Sequence, residues 1–353
     1  MIPYLSGVTA SSSCGEGHTR RSFILTSGRL MLIGAGLAAG LGRARAGAAS
    51  QVTIGVASVP CQAPTYAALA QGYFQDEGLD VAVVTTDDVS KILPALTRQT
   101  IDAGLTTVWN VVPPRLTAAG GTTLGDFVVT SPLQRGCVSL SVPAGSDVQS
   151  LEDLRGRRVA GVKFLFGQAL AEAGVNPDEI AWSPAPAPAD AFASLQAGEF
   201  AAVQSPDGQG ALLEAVGAAR MIAMNNMPPA ESTFCCACVM NANVVRSDRP
   251  RAAAITRALM RGSAWAEAHR SEIAEVMRPS MTIPAQRELT QEDMEAALAM
   301  QAFVPMAEAA RPILVDQFDH YLTYGLPVEP DTPKDAATLV NRILVPVTDE
   351  LVA

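Results

Sequence analysis

Two stretches of this chain run strand, helix, strand, helix, strand, and that alternation confines the fold more than any other feature of the sequence. A strand, a crossover helix and a returning strand form a parallel pair with a right-handed connection, so each stretch specifies one layered α/β unit. In the first, Gln51 opens the β-branched run VTIGVAS, followed by a loop from Val59 to Pro64. The helix TYAALAQGYFQDEG ends at Gly78, and the strand LDVAVVTT, the helix KILPALTRQT and a short strand over Ile101–Leu105 complete the unit. The second opens with the strand CVSLSVPAGS at Cys137. The segment Ser150–Gly161 supplies a short helix, a turn and a strand. Phe166-Gly167-Gln168 reads as a glycine-containing turn opening the helix ALAEAG, and the strand EIAWSPA and the run DAFASLQAGEFAAVQSPD close the unit. Pro184 to Pro188 reads as a loop. From Arg249 onward the pattern is mainly helical, and these helices are expected to pack back on the first unit.

The N-terminus reads as an export signal. TRRSFIL at Thr19–Leu25 precedes the glycine-rich apolar run LMLIGAGLAAGL at Leu30–Leu41, and Arg43-Ala44-Arg45-Ala46 ends in a small-residue cleavage pattern. Paired arginines before a mildly hydrophobic run resemble a twin-arginine signal, expected over residues 1–46, and the run is short for a membrane span. Cleavage after Ala46 leaves 307 of 353 residues, enough for two lobes. The formal net charge of −10 becomes about −14 once the signal's five arginines and one glutamate are gone. An acidic chain without a basic cluster is a poor nucleic-acid binder, so no nucleic-acid partner is expected.

The segments GYFQDEGLDV from Gly72, QTIDAGLTT from Gln99, SLEDLRGRRVAG from Ser150 and LQAGEFAAV from Leu195 occur in one order. That order resembles the periplasmic solute-binding proteins for sulfonates, taurine, nitrate and thiamine-pyrimidine precursors, over nearly all of the chain beyond the signal. The resemblance implies an α/β type II periplasmic-binding-protein fold, with two Rossmann-like lobes joined by two crossing strands and ligand held between them. Lobe 1 is expected over residues 51–136 and 243–353, and lobe 2 over 137–242. The segments implied to reach the cleft are Ser58 to Pro64, Thr106 to Asn110, Phe164 to Gln168, and Asp207. They nominate Cys61, Gln62, Thr106, Trp109, Asn110, Phe166, Gly167, Gln168 and Asp207 as ligand contacts. Trp109 is a candidate stacking platform.

One branch stands out. Phe234-Cys235-Cys236-Ala237-Cys238 resembles the CCCxC motif of the iron-dependent eukaryotic thiamine-pyrimidine synthases, which build the pyrimidine from pyridoxal phosphate and one of their own histidines. Here the cofactor lysine of those enzymes falls at Thr106, the donor histidine at Asn110 and the first-loop histidine at Gln62, and of the phosphate-holding glycine-rich turn only Phe166-Gly167 is kept. Without the amine there is no Schiff base. The expectation is therefore a non-enzyme, with the synthase-like reaction as an alternative.

Cysteine remains to be explained. Cys14 lies in the signal, and Cys61, Cys137, Cys235, Cys236 and Cys238 remain, an odd number for an oxidising compartment. On the implied fold Cys137 stands at the first crossing, Cys235, Cys236 and Cys238 at the return, and Cys61 on the first cleft loop. All five are therefore expected to converge. Buried cysteine often serves as a small hydrophobe. The alternatives are a disulfide such as Cys61–Cys137, or a soft-metal site of Cys235, Cys236 and Cys238, with Cys61 and Cys137 as further ligands, for iron, zinc or copper. His269 reads as a helix-face residue, His320 beside Tyr321 and Tyr324 as structural, and Lys163 as a candidate anion contact at a helix start.

The expected function is that of a periplasmic solute-binding component of an ABC importer. Its partners are a small organic ligand, thiamine-pyrimidine-like or sulfonate-like, and an inner-membrane permease and ATPase. The chain is expected to act as a monomer. A soft-metal or metal-complex binder is the alternative in another class.

Overall fold

The computed structural model describes residues 50–86, 89–112, 122–185, 188–206, 208–281 and 288–351. The signal expected over residues 1–46 and the candidate contact Asp207 lie outside the described residues.

The first sheet grows from the first alternating stretch. β1 (Ser50–Ala57) and β2 (Leu79–Thr86) run parallel, from Ser50 opposite Leu79 to Ala57 opposite Thr86, and β3 (Ala103–Thr107) lies parallel on the other side of β1. The helix expected between β1 and β2 is broken in two, α1 (Ala63–Ala70) and α2 (Tyr73–Asp76), because Gly72 takes φ 73°. That left-handed conformation carries no steric penalty for glycine and stops the helix. The crossover before β3 carries α3 (Ile92–Thr97). β4 (Phe127–Pro132) and β10 (Cys236–Asn241) complete the order β2-β1-β3-β10-β4, with β10 antiparallel to both neighbours.

The second sheet repeats the plan. β5 (Ser139–Pro143), β6 (Arg158–Ala160), β7 (Ala181–Ser183), β8 (Ala202–Ser205) and β9 (Ala219–Met224) take the order β7-β6-β8-β5-β9, and β5 is the antiparallel member. In each sheet the antiparallel strand is the one the chain lays down directly after crossing. This is the α/β two-lobed arrangement expected from the sequence. One boundary differs. The expected end of lobe 2 at residue 242 would have left β10 outside the first sheet, whereas its hydrogen bonds to β3 and β4 put residues 236–241 inside it.

Helices cover the sheets: α4 (Lys163–Glu172), α5 (Pro188–Gln196) and α6 (Gln209–Ala215) in the second lobe, then α7 (Ala242–Ser247) and α8 (Arg249–Ala268). α9 (Arg270–Met277), α10 (Gln291–Ala299), α11 (Arg311–Thr323) and α12 (Ala336–Ile343) follow. Asp248 caps α8 by accepting the Arg251 N–H at 3.1 Å, a local anchor for its first turn. α8 packs on α1, as expected for a terminal helix returning to the first unit. Val52, Ile54, Leu105, Ile255 and Leu259 share one apolar cluster. A larger cluster is continuous from Ala57 and Trp109 of the first lobe to Leu140, Phe164 and Phe166 of the second, so the two lobes bury side chains against each other. Burying a large aromatic or aliphatic side chain of this kind stabilises the fold by roughly 2 kcal/mol.

Candidate functional site

The chain passes between lobes twice, over residues 133–138 and 225–235. The two passages touch through an antiparallel bridge between Arg135 and Phe234. Above them stand the carboxyl ends of β1 and β3, where open α/β sheets hold ligand. β1 leads into a 3-10 turn, Pro60–Gln62, whose proline presets its first residue. Cys61 and Gln62 in this turn are fully buried. Gln62 Nε2 donates to the Leu105 carbonyl at 3.3 Å and lies 3.8 Å from Cys61 Sγ. Gln62 Oε1 has no hydrogen-bond partner among the described residues. The same holds for the hydroxyls of Thr65 in the first turn of α1 and Thr107 at the end of β3. All three side chains are buried. An amide or hydroxyl oxygen left without a partner costs about 1–3 kcal/mol, so three at one end of a sheet are a place for a polar ligand or ordered water.

Thr106 and Asn110 satisfy each other. Asn110 Nδ2 donates to Thr106 Oγ1 at 2.8 Å, and that hydroxyl reaches the Val89 carbonyl at 3.4 Å. The positions where an amine and a histidine were absent from the sequence thus hold a closed hydroxyl–amide pair.

Trp109 does sit where the lobes meet. Its ring lies edge-on to Phe164 of α4 at 6.3 Å and to Tyr321 of α11 at 5.8 Å, and those two are 5.1 Å apart. Gln317 Nε2 fixes this corner by donating to the Tyr321 hydroxyl at 2.9 Å and to the Phe234 carbonyl at 2.7 Å. Burial pushes the Tyr321 phenol far above its ordinary pKa, so it stays neutral.

Phe166, Gly167 and Gln168 do not form the turn expected of them, because α4 already begins at Lys163 and they lie inside it. The glycine answers a packing need. A Cβ on Gly167 would stand 2.3 Å from Tyr324 Cγ, so α11 comes to rest on this bare point of α4. Phe166 is buried and Gln168 half-buried. Lys163 is engaged by Asp178 at 2.7 Å and is not held for a ligand. His269 stacks on Trp265 at 4.6 Å, and His320 bonds the Asp316 carbonyl within its own helix at 2.8 Å.

The cysteines divide. Cys137 and Cys235 are joined by a disulfide with Cα atoms 6.4 Å apart, in place of the Cys61–Cys137 pairing weighed from the sequence. Cys236 Sγ lies 4.0 Å from Cys137 Sγ and 3.9 Å from Cys235 Sγ. The sulfurs of Cys61, Cys137 and Cys236 all fall within 4.8 Å of one another. Cys238 is elsewhere, packed with Leu105, Met240 and Leu259 in the cluster under α8. Burial pushes its thiol up to about 11, against hydrogen bonds with Thr130 and Thr256 that pull it down. Four of the five cysteines therefore converge at the crossings, and the trio Cys235, Cys236 and Cys238 does not gather around one point. Thr65 and Gln317 carried no distinguishing signal in the sequence, whereas Thr107 and Phe164 fall in segments that the resemblance implied would reach the cleft without being singled out there.

Solved structures share this architecture. The alkanesulfonate-binding protein SsuA from Xanthomonas axonopodis pv. citri bound to MOPS superposes with a TM-score of 0.64 at 18% identity, covering 82% of this chain and 97% of that one. The periplasmic aliphatic sulphonate binding protein SsuA from Escherichia coli gives 0.63 at 18%, covering 85% and 93%. The periplasmic nitrate-binding protein NrtA from Synechocystis PCC 6803 gives 0.62 at 13%, covering 84% and 86%. At such identities the likeness is one of fold. A search of curated protein sequences returns no match. The family model described as NMT1/THI5 like matches residues 60–273, more than half of the sequence, and the chain belongs to that family.

Proposed function

We propose that this protein is the solute-binding component of an ABC importer, exported to the periplasm by a twin-arginine-type signal at residues 1–46. In this reading it takes a small organic ligand between lobes 50–135 and 236–351 on one side and 137–224 on the other, and hands it to an inner-membrane permease and ATPase. One observation carries the reading: Gln62 Oε1, Thr65 Oγ1 and Thr107 Oγ1 are buried without partners among the described residues at the carboxyl ends of β1 and β3. A ligand offering complementary donors and acceptors there, beside the Trp109 ring, would satisfy them. The sulfonate and nitrate ligands named for the structural neighbours support a small solute of that kind. The resemblance of Cys235-Cys236-Ala237-Cys238 to the motif of the thiamine-pyrimidine synthases supports a thiamine-pyrimidine as the other class. No covalent chemistry is asked of the protein.

The test is thermal-shift screening of the full chain against alkanesulfonates, MOPS included, and against aminopyrimidines. A ligand of one class should raise the melting temperature, since binding at 100 times Kd adds about 2.7 kcal/mol. Gln62→Leu and Thr107→Val should each weaken that ligand by about tenfold. No shift from either class, with both variants more stable than the parent, would remove the cleft oxygens from ligand binding.

A second reading, a soft-metal binder, rests on the three sulfurs of Cys61, Cys137 and Cys236 within 4.8 Å. Their chemistry fits only in part, because Cys137 is tied up in the disulfide. Iron, zinc or copper would require it reduced. Elemental analysis with a thiol count decides: stoichiometric metal lost in Cys61→Ser supports this reading, and metal-free protein with reactive thiols ends it.

A further inference from the structure

The disulfide lies where the chain changes lobe. Cys137 ends the first passage, two residues before β5, and Cys235 ends the second, one residue before β10. The bond therefore ties the two passages together and closes the whole second sheet, β5 to β9, into a covalent ring. Every movement of one lobe against the other has to turn about these two passages. A third sulfur, that of Cys236, stands against this bond, 4.0 Å from one of its atoms and 3.9 Å from the other. All three residues are fully buried. No thiol from solution reaches the bond while the lobes are together, and the Cys236 sulfur is already in contact with it.

We propose that the crossing disulfide is a thiol–disulfide exchange site whose resident partner is Cys236. In the exchange the Cys236 sulfur attacks Cys137 Sγ, the Cys137–Cys236 bond forms, and the Cys137–Cys235 bond breaks. The electron pair of the broken bond goes to Cys235 Sγ, which takes up the proton that Cys236 gave up. One disulfide and one thiol are present before and after, so neither oxidant nor reductant is consumed.

The two bonds differ in what they hold. Cys235 lies in the passage itself, with its N–H on the Gln134 carbonyl at 2.8 Å and its carbonyl receiving the Val108 N–H at 2.8 Å. Cys236 is the first residue of β10, in register opposite Thr107, and its carbonyl receives the Leu133 N–H at 3.0 Å and the Gln134 N–H at 3.2 Å. Exchange therefore moves the tether off the passage and onto the first sheet, giving the hinge two covalent settings. The inference concerns the hinge alone and stands whichever ligand the cleft takes.

The test maps disulfides in the purified full chain after incubation with substoichiometric dithiothreitol, acid quench and alkylation, using fragment ions that separate Cys235 from Cys236. Wild type should show Cys137 bonded to both. Refolded in oxidised glutathione, Cys235→Ser should form Cys137–Cys236 and Cys236→Ser should form Cys137–Cys235, while Cys238→Ser should keep the wild-type mixture. A Cys137–Cys235 bond alone in wild type, with Cys236 alkylated throughout, overturns the proposal even if a variant fails to fold. Cys137 left as a thiol in a folded Cys235→Ser protein overturns it as well.

Discussion

At the scale of the residue, two positions reverse their ordinary chemistry. A glycine inside a helix normally costs 0.5–1 kcal/mol relative to alanine, so Gly→Ala there is usually stabilising. At Gly167 the sign should invert, because the added Cβ would stand 2.3 Å from Tyr324 Cγ and 2.6 Å from its Cβ. Gly167→Ala is expected to lose about 1–3 kcal/mol in denaturant unfolding, and the double variant with Tyr324→Ala to recover most of it. The second position is Cys238. Burial pushes its folded thiol up to about 11, above the ordinary range of a cysteine. An acid whose folded pKa is raised contributes stability that is intact below the unfolded pKa and is lost as pH climbs toward the folded one. Stability should therefore fall by about 2 kcal/mol between pH 9 and 11 through this group. Chemical denaturation at pH 8 and pH 10.5 checks it: Cys238→Ala should be less stable at pH 8 but show a shallower fall. The sequence did name Cys61, Gln62 and Trp109 as residues of the first-lobe loops. It misjudged Gly167, since glycine marks a turn in one context and close approach in another, and only the distant Tyr324 tells them apart.

At the scale of the element, the N-terminus of α6 is where the second lobe lands on the first. Gly208 caps that helix at φ 81°, and its N–H bonds the Cys137 carbonyl at 2.7 Å. A Cβ there would meet Gln301 Nε2 at 2.7 Å and Pro60 Cβ at 2.9 Å, the latter in the 3-10 turn that carries Cys61 and Gln62. Gly208→Ala is therefore expected to cost about 1–2 kcal/mol in backbone strain and also to hold the lobes apart. Small-angle scattering should report a larger radius of gyration. An unchanged radius with lowered stability would leave strain as the whole effect. Alternating elements were legible: β1, β2 and β3 follow from β-branched runs, and the helices between them from the strand–helix–strand alternation. β4 and β9 were not read from the sequence at all, and the expected break at 242 misplaced β10. Such strands earn their place by pairing with segments about a hundred residues away, as β10 does with β3 and β4, and local pattern carries no record of that partner.

At the scale of the molecule, the repeated sheet order turns one chain into two lobes with only two connections, and the disulfide acts on both connections together. Cys137 and Cys235 are 98 residues apart in sequence, so the bond removes a large loop's freedom from the unfolded chain while leaving the folded one in place. For a loop of that size the entropic contribution is about 4–5 kcal/mol. Reduction should accordingly lower unfolding stability by up to that amount. Because the ring encloses the second sheet and not the first, the loss should be uneven. Hydrogen exchange in the reduced protein should quicken in β5 to β9 and across residues 225–235, with β1, β2 and β3 little changed. Equal acceleration in both sheets would mean that the lobes unfold as one unit and that the continuous apolar cluster between Trp109, Phe164 and Tyr321 couples them more strongly than the crossings separate them. Protection that survives reduction in both sheets would assign stability to the two cores and leave the bond a role in hinge geometry alone.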